Sequence, residues 1–351
     1  MIRHLQRMAS VRQWAMLAGA LGLALSAPAR ADDTEVIVLS GFEETRDWLT
    51  AEGWWGEVNR ESQLSAPNVL MTGISLRWRE ESAMLPVSQK KEIFYRFLLP
   101  LILHANHLVL DRRAAVEAAA AQFASTGSVS ADALADIRQF APILRIRGRE
   151  AAAELGATDP ELGDVLEEML YKLDVIPAGL ALGQAAYESG YGTSRFAAEG
   201  NALFGQWTFG GEGLKPEQQR EELGDHRIAA FDWPFDSVRS YFINIMSHPA
   251  YDAFRALRAE KRAAGEALRS LDLADGLIAY SERGQAYVDT LKSIIRVNDL
   301  DLADDAVLRD EPRRFIVGAE DAEDAERIKA EIDDLRRSGE LAEIIERMNL
   351  D

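Results

Sequence analysis

Glu188 is the residue in this chain best placed for acid–base chemistry. It lies in the run LGQAAYESGYGTSRFAAEGNALFGQWTF, residues 182–209, where small and apolar residues give way to two glycines and then an aromatic-rich loop. Pro177 has no N–H to leave unsatisfied and suits the start of a helix, and Gly190 and Gly192 suit its end. Glu188 then falls in the last turn, at the negative end of the helix dipole, which disfavours an ionised carboxylate. If the neighbouring Tyr187, Tyr191, Phe204 and Trp207 also exclude water, the carboxyl keeps its proton to near-neutral pH and can act as a general acid. The competing reading is a solvated glutamate at a helix end, as most glutamates are.

Several helices must hold this group in place. Thr158-Asp159-Pro160-Glu161 reads as a start signal, with Thr158 as cap, and Leu162, Val165, Leu166, Met169, Leu170 and Leu173 keep helical spacing after it. The link 174–176 is short, so this helix should pack on the one carrying Glu188. Residues 90–113 read as a long helix with an apolar side and a kink at Pro100, and residues 131–144 as another. Asp236 is a plausible cap for a helix over 237–247. Residues 201–209 and 227–231 have strand character, and the polar, glycine-containing stretch between them makes a small β-lobe. A cleft between that lobe and the helices suits an elongated ligand, with Asn201, Gln206 and Trp207 along it and Phe204 nearer the core. His104 and His107 stand at i and i+3 with Asp111 four further on, but no third strong ligand motif lies nearby, so packing and solvation account for them and no metal is expected.

The segment AAYESGYGTSRFAAEGNALFGQWTF resembles the ALESGWG…NLFG signature of the peptidoglycan glucosaminidases of glycoside hydrolase family 73, most of all their Bax-like branch. Further blocks continue the likeness in order: KKEIFYRFLLPLILHANHLVLDRR, VIPAGLALGQAAYESGYG, FDSVRSYFINIMSHPAYDAFRALR and LIAYSERGQAYVDTLKSIIRVN, covering about residues 85–300. The resemblance implies a mainly α, lysozyme-like helical domain with a small β-hairpin lobe. It implies cleavage of a glycosidic bond next to N-acetylglucosamine, with Glu188 as the acid and no cofactor. YSERG, residues 280–284, resembles the family's YATDP segment, which places Tyr280 near the scissile sugar. Gln184, Tyr191, Asn201, Phe204, Gln206 and Trp207 are the expected substrate-binding residues. A glycosidase also needs a group on the other face of the sugar ring. In this family it comes from the β-lobe, where the candidates are Glu212, Glu217, Glu221 and Glu222. Glu221 is preferred because a hairpin turning near Gly224-Asp225 sets it opposite the 227–231 strand. The substrate's own N-acetyl group is the alternative.

Composition limits the partners. The net charge of −19 lacks the basic footprint of a nucleic-acid binder. It also disfavours electrostatic capture of acidic wall polymers, leaving aromatic faces and hydrogen bonds to recognise peptidoglycan glycan strands. The chain has no cysteine, which removes thiol chemistry and disulfides. Arg3, Arg7 and Arg12, a short apolar run from Trp14 to Leu25 and Ala29-Arg30-Ala31 read as a signal peptide over 1–31, implying export to the periplasm or cell surface and no membrane span after cleavage. An N-terminal cap over 32–84, rich in tryptophan, and a helical tail over 301–351 flank the 85–300 domain. The tail holds 8 basic and 17 acidic residues, a balance of −9, and reads as a docked extension or an arm for a protein partner. Two other functions fit the same features: a lytic transglycosylase, and a wall protein that binds or scaffolds glycan without cutting it.

Overall fold

The computed structural model describes residues 34–74, 76–208, 213–214 and 227–347, with residues 76, 207, 208, 346 and 347 described by backbone alone. The expected signal segment over 1–31 and Glu212, Glu217, Glu221 and Glu222 lie outside the described residues. In chain order, β1 (Val36–Leu39), α1 (Phe42–Ala51), β2 (Ser65–Ala66), β3 (Val69–Met71) and α2 (Leu76–Glu81) form the N-terminal segment. Helices α3 (Val87–Thr126), α4 (Ala131–Ile143), α5 (Arg149–Ala153), α6 (Leu162–Lys172), α7 (Ala178–Ser189) and α8 (Arg195–Gly200) follow. Strands β4 (Trp207–Thr208), β5 (Gly213–Leu214) and β6 (Arg227–Ala229) interrupt them. The chain then runs through α9 (Pro234–Ser247), α10 (Asp252–Ala263), α11 (Ser270–Leu273) and α12 (Gln285–Val297), with 3-10 turns at Pro249–Tyr251, Ala274–Tyr280 and Leu300–Asp305. It closes with β7 (Val307–Leu308), β8 (Arg314–Gly318), α13 (Ala322–Ser338) and α14 (Glu340–Arg347). The protein is mainly helical with a few small sheets, as a lysozyme-like fold requires.

Helix α7 is the hub, and its composition explains why. Ten of its twelve residues are buried, all but Tyr187 and Glu188. Large side chains there would hold its neighbours off. A Cβ on Gly179 would come within 2.2 Å of the Leu300 carbonyl oxygen, and one on Gly183 within 3.0 Å of Leu291 and 3.1 Å of Ile295. The glycines therefore let α12 and the 300–305 turn lie directly against α7. Helix α3 packs on α7 and α6. It runs unbroken through Pro100 and stops at Gly127, whose φ of 71° is the left-handed cap that glycine adopts without penalty. It is long and apolar enough to cross a membrane, but 67% of its most apolar window is covered by the protein itself.

Three local expectations need correction. Helix α6 begins at Leu162 without a side-chain cap. Asp159 uses its side chain to accept from the Glu161 N–H at 3.0 Å and its carbonyl to accept from Leu162 at 3.0 Å, so the chain makes a turn where the Thr158 cap was expected. Helix α9 begins at Pro234, which places Asp236 inside the first turn. Residues 201–206 are irregular, and among the described residues the strand covers Trp207–Thr208.

The two ends of the chain share a sheet. Strand β8 lies between β1 and β3, parallel to both, with Val36 opposite Phe315 and Leu70 also opposite Phe315. Glu52 accepts from Arg314 at 2.6 and 2.9 Å and from Arg309 at 3.2 Å, which fastens the N-terminal segment to the tail. Ile328, Ile332, Leu341 and Ile344 of the tail helices are buried. The cap tryptophans pack inward: Trp48 stacks on Phe97, Trp54 donates to the Arg96 carbonyl at 3.1 Å, and Trp78 donates to the Tyr191 carbonyl at 3.1 Å.

Candidate active site

Helix α7 presents Glu188 as the sequence suggests, one residue before its end. Gly190 caps it at φ 60°, and Tyr191 and Gly192 continue the reversal at φ 62° and 74°. Ser189 locks this turn from inside: its hydroxyl donates to the Ala185 carbonyl at 2.6 Å and accepts from the Gly192 N–H at 2.8 Å. Tyr191 is not glycine, so its left-handed backbone stores strain of about 1 kcal/mol that the surroundings must offset. Its ring lies on Phe94 and Tyr95 of α3, with the ammonium groups of Lys90 and Lys91 at 5.9 and 5.5 Å from its centre.

The carboxyl of Glu188 is largely shielded from water. Burial pushes its pKa up to about 7, opposed by a hydrogen bond from the Tyr287 hydroxyl that favours the ionised form. On one side stands Gly205, whose φ is 62° and whose missing Cβ would sit 3.2 Å from Glu188 Oε2. Glycine is needed there twice over, for the backbone angle and for the space. On the other side stand tyrosines from three later elements. The Tyr287 ring of α12 meets Tyr187 edge-on at 5.4 Å and stacks on Tyr280 at 5.5 Å, and Tyr280 meets Tyr251 at 5.7 Å. Glu188 in turn raises the pKa of Tyr251, Tyr280 and Tyr287, adding to their own burial.

The expected site residues divide into three groups. Gln184, Phe204 and Tyr280 join Glu188. Gln184 is fully buried and accepts from the Tyr241 hydroxyl at 2.6 Å while donating to the Tyr287 hydroxyl at 3.0 Å. Phe204 is buried and stacked on Tyr241 with centroids 4.0 Å apart, and its carbonyl accepts from the Tyr280 hydroxyl at 3.0 Å. Gln206 stands next to Gly205; its amide donates to Ser240 at 2.9 Å, and its buried Oε1 has no hydrogen-bond partner. Asn201 and Tyr191 are engaged elsewhere. The Asn201 carbonyl group accepts from Ile74 at 3.0 Å and its amide donates to the Phe231 and Asp232 carbonyls, both at 3.1 Å, so this buried side chain ties the end of α8 to the loop before α2 and to the segment after β6. Trp207 pairs with Ile228 through its backbone. Glu221 lies outside the described residues.

Sequence reading missed the tyrosines that close over Glu188 from behind. Tyr241, Tyr251 and Tyr287 look like core aromatics in apolar stripes, and they are buried. The available signal was their hydroxyls, since a buried tyrosine oxygen needs a partner. His104 and His107 do not come together as a ligand pair: His104 is buried against Phe235, with its pKa pushed down to about 3 by burial, and His107 is exposed. Among the described residues no group of three His, Asp or Glu is arranged to hold a metal. Asp236, in the first turn of α9, is another carboxyl whose pKa burial pushes up, to about 6. A half-buried carboxyl that exchanges its proton near neutrality is equipped for general acid catalysis.

Residues 163–300 match the glucosaminidase family model, described as mannosyl-glycoprotein endo-beta-N-acetylglucosaminidase. A curated relative, "Protein bax" of Escherichia coli (strain K12), is 31% identical over 130 residues, 37% of this chain and 46% of that protein. The chain thus spans about half the length of the relative it matches. No solved structure matches the chain.

Proposed function

Starting from a chain that carries a Bax-like glucosaminidase domain of glycoside hydrolase family 73, we propose that the protein is an exported peptidoglycan hydrolase. It cuts the β-1,4 bond on the reducing side of N-acetylglucosamine, with Glu188 donating the proton to the leaving oxygen. The observation that carries this reading is the state of Glu188: half-buried, with a pKa pushed up to about 7, in the segment that bears the family likeness. A carboxyl of ordinary acidity would be almost wholly ionised at that pH and would have no proton to give.

The rest of the assignment follows the neighbours. Tyr280 holds the Phe204 loop against the acid through its hydroxyl. Trp207 is the aromatic residue expected to meet the sugar. The oxocarbenium-like transition state is met on the opposite face either by Glu221 from the β-lobe or by the substrate's own acetamido oxygen. The first 31 residues direct export, and the acidic tail stays with the domain after cleavage.

The test is digestion of defined muropeptides by the mature protein and by Glu188→Gln, read by product mass. Hydrolysis predicts new reducing N-acetylglucosamine ends from the wild type and none from the variant. Equal turnover by the variant would reject Glu188 as the acid. Anhydro-sugar ends would assign the protein to the lytic transglycosylases, and binding without cleavage would make it a glycan-binding protein.

A further inference from the structure

Three tyrosine and glutamine side chains lead from the core to Glu188, and their donors run in one direction. Tyr241 of α9 donates to Gln184 Oε1 at 2.6 Å. Gln184 Nε2 donates to the Tyr287 oxygen at 3.0 Å. Tyr287, with its oxygen already accepting, has one proton left, and its hydroxyl is the neighbour that offsets the effect of burial on Glu188. Tyr241, Gln184 and Tyr287 are all fully buried, so none can exchange a partner for water. A buried amide and two buried phenols are costly unless their donors are matched, and with Gln184 Oε1 toward Tyr241 and Nε2 toward Tyr287 the bonds run toward Tyr287.

We propose that Tyr241, Gln184 and Tyr287 form a polarised hydrogen-bond relay that positions the Glu188 carboxyl and tunes how tightly it holds its proton. Gln184 is therefore a positioning residue, acting through Tyr287, and Tyr287 is the group that touches the acid. The inference rests on the reading of Glu188 as the general acid only for its consequence in catalysis; the relay itself is a statement about proton affinity.

The physical logic is a balance. Burial alone favours the neutral acid so strongly that Glu188 would be slow to release its proton to a leaving group and slow to regain it as a base. A donor aimed at the carboxylate pulls the other way, and the incoming bond from Gln184 strengthens that donor by polarising the Tyr287 O–H. The other titratable groups facing Glu188 are Tyr280, from the turn at Ala274–Tyr280, and Tyr251, from the turn at Pro249–Tyr251. On its own helix stands Tyr187, whose hydroxyl is held by Arg283. The Tyr280 hydroxyl is committed to the Phe204 carbonyl, and Tyr251, whose oxygen accepts from Asn244 at 3.4 Å, acts on Glu188 through its charge alone, whereas Tyr287 acts through its hydroxyl.

The experiment is a pH titration of the Glu188 carboxyl band by difference infrared spectroscopy on the mature protein, with Glu188→Gln as the blank. Tyr287→Phe removes one oxygen and should move the midpoint upward by about one pH unit. Tyr241→Phe leaves everything that touches Glu188 in place, and should move it the same way by a few tenths of a pH unit. The alkaline limb of kcat against pH should shift by matching amounts, which a merely structural role would not produce. An unmoved or lowered midpoint in Tyr287→Phe overturns the relay, because it means that Tyr287 donates to Gln184 instead. Should Tyr287→Phe fail to fold, an unmoved midpoint in Tyr241→Phe overturns it equally. The titration needs no turnover, so it reads the relay even if the wild type cuts no glycan, and a protein that cuts glycan while Tyr287→Phe titrates unchanged refutes the relay alone.

Discussion

Glu188→Gln should stabilise the protein at neutral and alkaline pH while removing its activity. An unfolded glutamate titrates near 4.5, and in the folded protein burial pushes Glu188 up to about 7. Below pH 4.5 both states hold the proton and the group is neutral in its effect. As pH rises from 4.5 the unfolded chain ionises first, so the wild type loses stability progressively until about pH 7, and above that the loss is complete and constant. The displacement of about 2.5 pH units, at about 1.36 kcal/mol each, sets an upper limit of about 3.4 kcal/mol. Glu188 keeps some solvent contact, and screening brings the expected difference to roughly 2 kcal/mol. Glutamine has nearly the same shape and carries no charge, so the contribution of position 188 should be flat over this range. Urea unfolding of both proteins at about pH 4, 6 and 8 measures the difference directly. The curves should coincide at the lowest pH and separate upward. Parallel curves would mean that Glu188 is solvated and titrates normally, and the argument for a stored proton would fail with them.

Other positions test separate parts of the structure. Gly205→Ala forces a side chain onto a φ of 62° and places its Cβ 3.2 Å from Glu188 Oε2. A loss of about 1 kcal/mol in stability should accompany a drop in kcat of about tenfold, because the carboxyl must shift by a few tenths of an ångström; steady-state kinetics with unchanged kcat would show that its position is not critical. Arg258 is almost fully buried and donates to the carbonyls of Tyr171, Lys172 and Asp174 at 3.2, 2.8 and 2.7 Å. Arg258→Met leaves those oxygens without a donor at the end of α6 and should cost about 3 kcal/mol or more in urea unfolding. Glu52→Gln weakens the clasp between the two chain ends. Arg314 holds the Glu52 carboxyl below its usual range, so wild type should exceed the variant in stability at neutral pH, and the gap should close as pH falls through the depressed Glu52 value.

Local signals were read correctly where the physics is local. The stop at Gly190 and the placing of Glu188 in a final turn depend on residues within a few positions of one another. The misread starts at Thr158 and Asp236 show the limit of that logic. Each has a capping side chain, but in the first case a turn closed by Asp159 and in the second a proline at the first helical position took its place.

The sequence by itself determined that an acid stands at the end of a small-residue helix, because glycine, proline and apolar spacing act on the backbone directly. Tertiary structure alone decided what surrounds that acid. Tyr251, Tyr280 and Tyr287 reach it from elements about 60 to 100 residues away, and β8 joins β1 and β3 across most of the chain. A parallel pairing or a buried hydroxyl has no local partner to announce it. The proton on Glu188 is held by how these distant pieces exclude water together, which no window of the sequence contains.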